Sequence, residues 1–231
     1  MAVDGALVMT DSVVSGNAAK QIGGGVFIND GSSVLASIVI SNNSAGLQAG
    51  GVFGTGDSVL NITSCTLENN IATSGGGCML SQQAQLTATH ITFSGNRAVS
   101  SEGGAMYLDL DSSAVLQHFQ FSNNSALQDG GGVAMAAFSA LSAVNGTFDS
   151  QVSLEGSGGA ISLFDSSQVE LSQCTISNSI SKRQSAGGLY VQDSARMTVH
   201  DVTIRNSIAA VSGGGVYIGG SANISAFDFN I

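Results

Sequence analysis

Hydrophobic residues in this chain come in short alternating runs, and the runs return on a fixed schedule. The clearest follows a Gly-Gly-small triplet: Val26-Phe-Ile28, Cys78-Met-Leu80, Met106-Tyr-Leu108 and Ile161-Ser-Leu163. The middle glycine falls at Gly24, Gly50, Gly76, Gly104, Gly131, Gly159, Gly187 and Gly214, at intervals of 26, 26, 28, 27, 28, 28 and 27 residues. A second run, apolar-x-apolar-x-x-Asn, closes at Asn43, Asn70, Asn96 and Asn124, and a weaker run such as Val34-Leu35 or Val115-Leu116 lies between. Alternation with period two marks strands buried on one face, and the Gly, Ser, Asn and Asp between runs mark turns. Self-similarity at this period predicts a solenoid.

Three strands per coil, stacked in parallel at about 4.8 Å per coil, make eight coils a rod roughly 38 Å long. The fold class read from the pattern is all-β, a single parallel β-helix over residues 1–231. Val26, Val52, Cys78, Met106, Val133, Ile161, Leu189 and Val216 form one inward column of the core. The middle glycine is expected to supply a backbone conformation or an approach that a Cβ would block. The Asn column is expected to sit in left-handed turns, its stacked amides satisfying backbone groups that no strand pairs.

The paired tetrapeptides Gly103-Gly-Ala-Met106 with Phe121-Ser-Asn-Asn124, and Gly158-Gly-Ala-Ile161, resemble the GGA[ILV] and FxxN signature of chlamydial polymorphic outer membrane protein (Pmp) repeats. The resemblance extends along the whole chain, although only two of the eight copies carry Gly-Gly-Ala and three read Gly-Gly-Gly-Val. It implies a right-handed parallel β-helix of the pectin lyase-like superfamily, used as a surface adhesin or autotransporter passenger.

Composition narrows the function classes. Only six Lys and Arg stand against 16 Asp and Glu, so no basic patch suited to nucleic acid can be assembled. No apolar run is long enough to span a bilayer, and the amino terminus lacks the pattern of a signal peptide. The chain opens and closes inside a repeat, which leads us to expect a piece of a longer secreted or cell-surface protein, with the rest of the parent at both ends. Cys65, Cys78 and Cys174 read as buried small hydrophobes, since the first and last are about four coils apart in one column. Sequons stand at Asn42, Asn61, Asn123, Asn145 and Asn223.

Candidate binding chemistry lies in the outward position of the glycine strand. Phe27, Phe53, Met79, Tyr107, Tyr190 and Tyr217 recur there, predicting an exposed stripe able to stack on a surface glycan or dock a protein receptor, interrupted at Ala134 and Ser162. Asp30, Asp57, Asp109, Asp111, Asp165 and Asp193 gather at the following turn. Ordinary Asp-Ser turn formation is the main reading there, and calcium held by stacked carboxylates the lesser one. His90 and His118 align one coil apart without a third metal ligand. No catalytic residue is assigned: the acidic residues sit in turns and no Asp-Asp pair lies beside an arginine. The functional expectation is therefore a non-catalytic adhesin or structural spacer without cofactor. The alternative on the same fold is a polysaccharide lyase or hydrolase, or a carbohydrate-binding module.

Overall fold

The computed structural model describes residues Met1–Ile231 and is a parallel β-helix throughout. Three parallel sheets run along the rod. The strands after the glycines, from Ala2–Asp4 to Val216–Ile218, form a nine-stranded sheet, here called the glycine sheet. A 13-stranded wide sheet takes both the weaker run and the run before the Asn column. In the early coils these are two strands, such as Gln85–Thr89 and Thr92–Ser94. From Ser113–Ser122 onward they merge into one long bent strand per coil. A narrow eight-stranded sheet of two-residue strands, Ala18–Ala19 to Ile208–Ala209, follows the Asn column. There is no helix, and so none long and apolar enough to cross a membrane.

The inward column pairs residue for residue as the spacing predicts, Val26 to Val52 to Cys78 to Met106 and on to Val216. Forty-three buried residues join into one continuous core. Its middle is aromatic: Phe93, Phe121 and Phe148 stack from coil to coil with ring centroids 4.6 and 4.9 Å apart. Phe119 lies over Gly146 of the next coil, filling the space a side chain there would need. Cys65, Cys78 and Cys174 are free and buried.

Two details of the turns differ from the reading above. The middle glycines are not in a left-handed conformation. The residue before each carries that geometry, and Ala49 (φ 52°) and Ala186 (φ 57°) fill the slot as well as glycine does. The middle glycine is required by approach: a Cβ on Gly24 would lie 2.5 Å from the Gly50 carbonyl oxygen of the next coil. Likewise Asn43, Asn70, Asn96 and Asn124 are not left-handed. The bend is taken one residue earlier, at Asn42, Asn69, Gly95 and Asn123. This frees each Asn side chain to turn inward into a buried ladder. Asn70 Nδ2 donates to Asn96 Oδ1 (3.1 Å) and Asn96 Nδ2 to Asn124 Oδ1 (3.0 Å), while each amide also donates to a strand carbonyl. The ladder continues through Gln151, whose Oε1 accepts from Asn124, and ends at Ser179. Asn178 and Asn206 occupy the left-handed column instead.

Candidate functional site

Phe27, Phe53, Met79, Tyr107, Ala134, Ser162, Tyr190 and Tyr217 do share one register row on the outward face of the glycine sheet. The row is not the open stripe that alternation predicts. Phe53 and Met79 are buried with Ala49 in a second small core, against which Ile22, Phe27 and Tyr107 pack. The cause is the segment that returns from the narrow sheet, which turns at the left-handed residue and lies across the row. A Cβ on Gly75 would stand 2.8 Å from Met79 Cβ, and one on Gly103 at the same distance from Tyr107 Cβ. Phe53 and Met79 are therefore packing residues at this face, while Phe27 and Tyr107 stay half-buried beside them. Toward the other end Tyr190 stacks on Tyr217 at 5.0 Å and Phe164 leans on Tyr190 at 5.6 Å, all three half-buried.

The small residues that interrupt the row open a cleft. Ala134 forms part of its floor, Tyr107 and Phe164 stand at its sides, and Glu102, Asp129 and Asp165 reach its rim, enclosing about 280 Å³. Asp129 and Phe164 also border a second hollow of about 460 Å³, with Tyr190, Gln128, Gln184 and Gln192 around it. Asp165 and Asp193 border a third of about 440 Å³ beside Phe138. The three hollows adjoin through these shared residues, and together they are called the trough of the glycine sheet. Phe138 is a large side chain left 66% exposed at a left-handed turn (φ 64°), where other coils carry Gly, Gln, Asp or Ser.

The trough is acidic and its charges are uncompensated. Burial pushes the Glu102 carboxyl up, helped by Asp129 and partly offset by the Tyr107 hydroxyl. Asp129 is also raised by burial, although the Ser157 N–H donates to its Oδ1 at 2.6 Å. Asp109 is raised by burial too, against the Leu110 N–H. The same desolvation raises the phenols of Tyr107 and Tyr190. No Lys, Arg or His lines the trough. The protein's single ion pair, Arg183–Glu155 at 3.3 Å, lies exposed at the edge of the second hollow.

Because Glu102 and Asp129 titrate above their unfolded values, the folded state holds protons that the unfolded chain has released. Their contribution is most favourable below the unfolded pKa and is lost as pH rises through the folded pKa. Glu102→Gln and Asp129→Asn are each expected to raise the urea midpoint near pH 7 and to leave it unchanged below about pH 4. Equal midpoints at both pH values would show that neither carboxylate is under strain. Asp149 works in the opposite sense: hydrogen bonds from Ser177, Asn178 and Ser150 lower its pKa, so its contribution is lost on acidification.

The remaining candidates disperse. Asp30, Asp111, Asp165 and Asp193 are themselves in left-handed turns, and Asp30 Oδ1 accepts from the Asp57 N–H, as turn-forming carboxylates do. No three His, Cys, Asp or Glu side chains converge in the arrangement a metal ion needs. His90 and His118 stack at 4.9 Å on the exposed wide sheet, and His118 Nδ1 meets Asn145 Nδ2 at 3.1 Å. The five sequon asparagines are all exposed, and all lie on the wide sheet or at its corner with the narrow sheet.

Glu102, Asp129, Phe164 and Phe138 were not singled out from sequence, yet a signal existed. Glu102 and Asp129 directly precede the glycine triplet in two adjacent repeats, where the other repeats have Ile22, Gln48, Ser74, Ser157, Ser185 and Ser212. The same part of the chain replaces the large residue of the row with Ala134 and Ser162.

Comparison with known families gives one match, to the model described as "Right handed beta helix region", over residues 3–158 and 132–231. No curated protein and no solved structure gives a significant match. With the match spanning nearly the whole solenoid, the chain belongs to the right-handed β-helix family.

Proposed function

We propose that this domain is a non-catalytic repeat of a secreted or cell-surface protein, and that it holds a glycan in the acidic trough of the glycine sheet. The observation that carries the reading is the arrangement of Tyr107, Phe164 and Tyr190 around two adjoining hollows rimmed by carboxylates and by the amides of Gln128, Gln184 and Gln192. Aromatic faces pack against the C–H face of a sugar ring, while carboxylates and amides take its hydroxyls. The tetrapeptides Gly103-Gly-Ala-Met106 and Phe121-Ser-Asn-Asn124, similar to Pmp repeats, support a surface role with the remaining coils as a stiff spacer.

The test is titration calorimetry against a panel of neutral, acidic and amino-bearing oligosaccharides. Phe164→Ala and Tyr190→Ala are each expected to weaken binding about tenfold with the far-UV spectrum retained. Failure of every glycan to bind, or unchanged affinity in both variants, overturns the reading. Phe53→Ser is unsuitable as a binding probe, because it places a hydroxyl in the small core beside Met79.

A second reading, a polysaccharide hydrolase, draws on one observation: Glu102 and Asp129 are both raised beside each other in the trough, as a proton donor would be. Release of new reducing ends, lost in Glu102→Gln, would favour it over binding alone.

A further inference from the structure

We propose that the wide sheet is an N-glycosylated face, with oligosaccharides attached at Asn42, Asn61, Asn123, Asn145 and Asn223, and that the glycine sheet carries none. The inference rests on the secreted reading above and adds a covalent modification to it. Each of these asparagines opens an Asn-x-Ser/Thr sequon. Modification needs an asparagine and a hydroxyl two residues on that are presented together, and a finished fold in which the bulky sugar has room outside. The solenoid meets both needs. Residues i and i+2 of a strand share a face. Asn61 with Thr63, and Asn223 with Ser225, point outward from the wide sheet around the inward Ile62 and Ile224. Asn145 and Thr147 are likewise both exposed, on either side of Gly146. In the transfer, the asparagine Nδ2 attacks the anomeric carbon of a lipid diphosphate-linked oligosaccharide. A C–N bond forms, the bond from that carbon to the diphosphate oxygen breaks with its electron pair, and the amide nitrogen gives up one proton.

The corner of the wide sheet separates asparagines that can carry a sugar from those that cannot. In Asn42-Asn43-Ser44 and Asn123-Asn124-Ser125 the first residue takes the left-handed bend and is exposed, while the second is buried in the amide ladder. The sequon falls on the first in both triplets. The second is denied it by Ala45 and Ala126, buried two places on where a hydroxyl would be required. Asn70 and Asn96, also rungs of the ladder, are followed in the same way by the buried Ala72 and Ala98. A sugar on a ladder amide would have to occupy the interior, and the motif is absent from all four positions. The placement also avoids crowding. Asn42 and Asn123 share a column but stand three coils apart, about 14 Å, and the remaining sites lie in other columns. No strand of the glycine sheet contains a sequon, so the trough stays open on the opposite side of the coil.

The experiment is to express the chain behind a secretory leader in a eukaryotic host, release the attached sugars with peptide N-glycosidase in heavy-oxygen water, and map the labelled aspartates by mass spectrometry. Label at most of the five sequons, and at no other asparagine, is the expected result. Label at a minority of them, or at an asparagine outside the set, overturns the inference. Thr63→Ala keeps Asn61 and alters only an exposed strand position, so it is expected to lose the label at Asn61 alone. Label retained there would show that the sequon does not direct the modification, and the inference fails. If the chain is secreted at the mass of the bare polypeptide, this inference fails while the secreted reading stands. If it is retained inside the cell and unmodified, both fail.

Discussion

Gly50→Ala is expected to destabilise the rod by about 3 kcal/mol or more, read as a fall in the urea midpoint. A methyl group at this position would lie 2.5 and 2.6 Å from the Ile71 backbone nitrogen and oxygen and 2.7 Å from the Gly76 carbonyl oxygen one coil on. All three are main-chain atoms fixed by sheet pairing, so none can swing aside as a flexible side chain would. The equivalent change in the last coil, Gly214→Ala, meets only the Ser207 carbonyl oxygen, at 3.0 Å, and is expected to cost much less. The pair of variants separates two explanations for the repeated glycine. A large difference shows that the motif exists because coil and corner approach too closely for a Cβ. Equal losses would show that chain flexibility is its purpose.

Asn96→Leu is expected to cost about 3–6 kcal/mol, since each buried polar group left without a partner costs about 1–3 kcal/mol. Asn96 Oδ1 accepts from both the backbone nitrogen and Nδ2 of Asn70, at 3.0 and 3.1 Å, and its own Nδ2 donates to the Leu67 carbonyl at 2.8 Å. Leucine fills the space but takes the side-chain partner from the Asn70 backbone nitrogen and the Leu67 carbonyl in the interior, and leaves Asn70 Nδ2 with only its bond to the Ile40 carbonyl. Asn96→Gln is expected to recover part of the loss. Gln151 already stands in this ladder, accepting from the Asn124 backbone nitrogen at 3.2 Å and from its Nδ2 at 3.0 Å, and it sends its own amide to the Asp149 carbonyl instead. A loss below about 1 kcal/mol for Asn96→Leu would mean that water or a shifted backbone replaces the ladder.

Both positions were visible as columns before any coordinates, because a solenoid writes its contacts into its period. Each residue meets the one a repeat away, so aligning the repeats amounts to reading the inter-coil register. Val26, Val52, Cys78 and Met106 pair as the alignment places them, and His90 stacks on His118 for the same reason. Reasons were harder to assign than positions. The left-handed residue is one place before both the middle glycine and the ladder asparagine, because the chain must bend before the next residue can turn inward.

The trough was less legible. Alternation says that Phe53 and Met79 point away from the core, and they do. It does not say that the returning segment covers them, since that contact links parts of the chain separated by a corner whose geometry leaves no periodic mark. The same corner brings Glu102 and Asp129 against Tyr107, Phe164 and Asp165, residues of other coils and another turn.

From its pattern alone the chain could therefore be read as a single parallel β-helix with known columns, inward faces and a polar ladder, because those features depend on neighbours one repeat apart. Which outward side chains are covered, where the row of large residues opens and which carboxylates meet without a counter-charge were decided only in three dimensions. Those features depend on how the corners fold back over the sheet, an arrangement set by excluded volume and desolvation and not by the repeat itself.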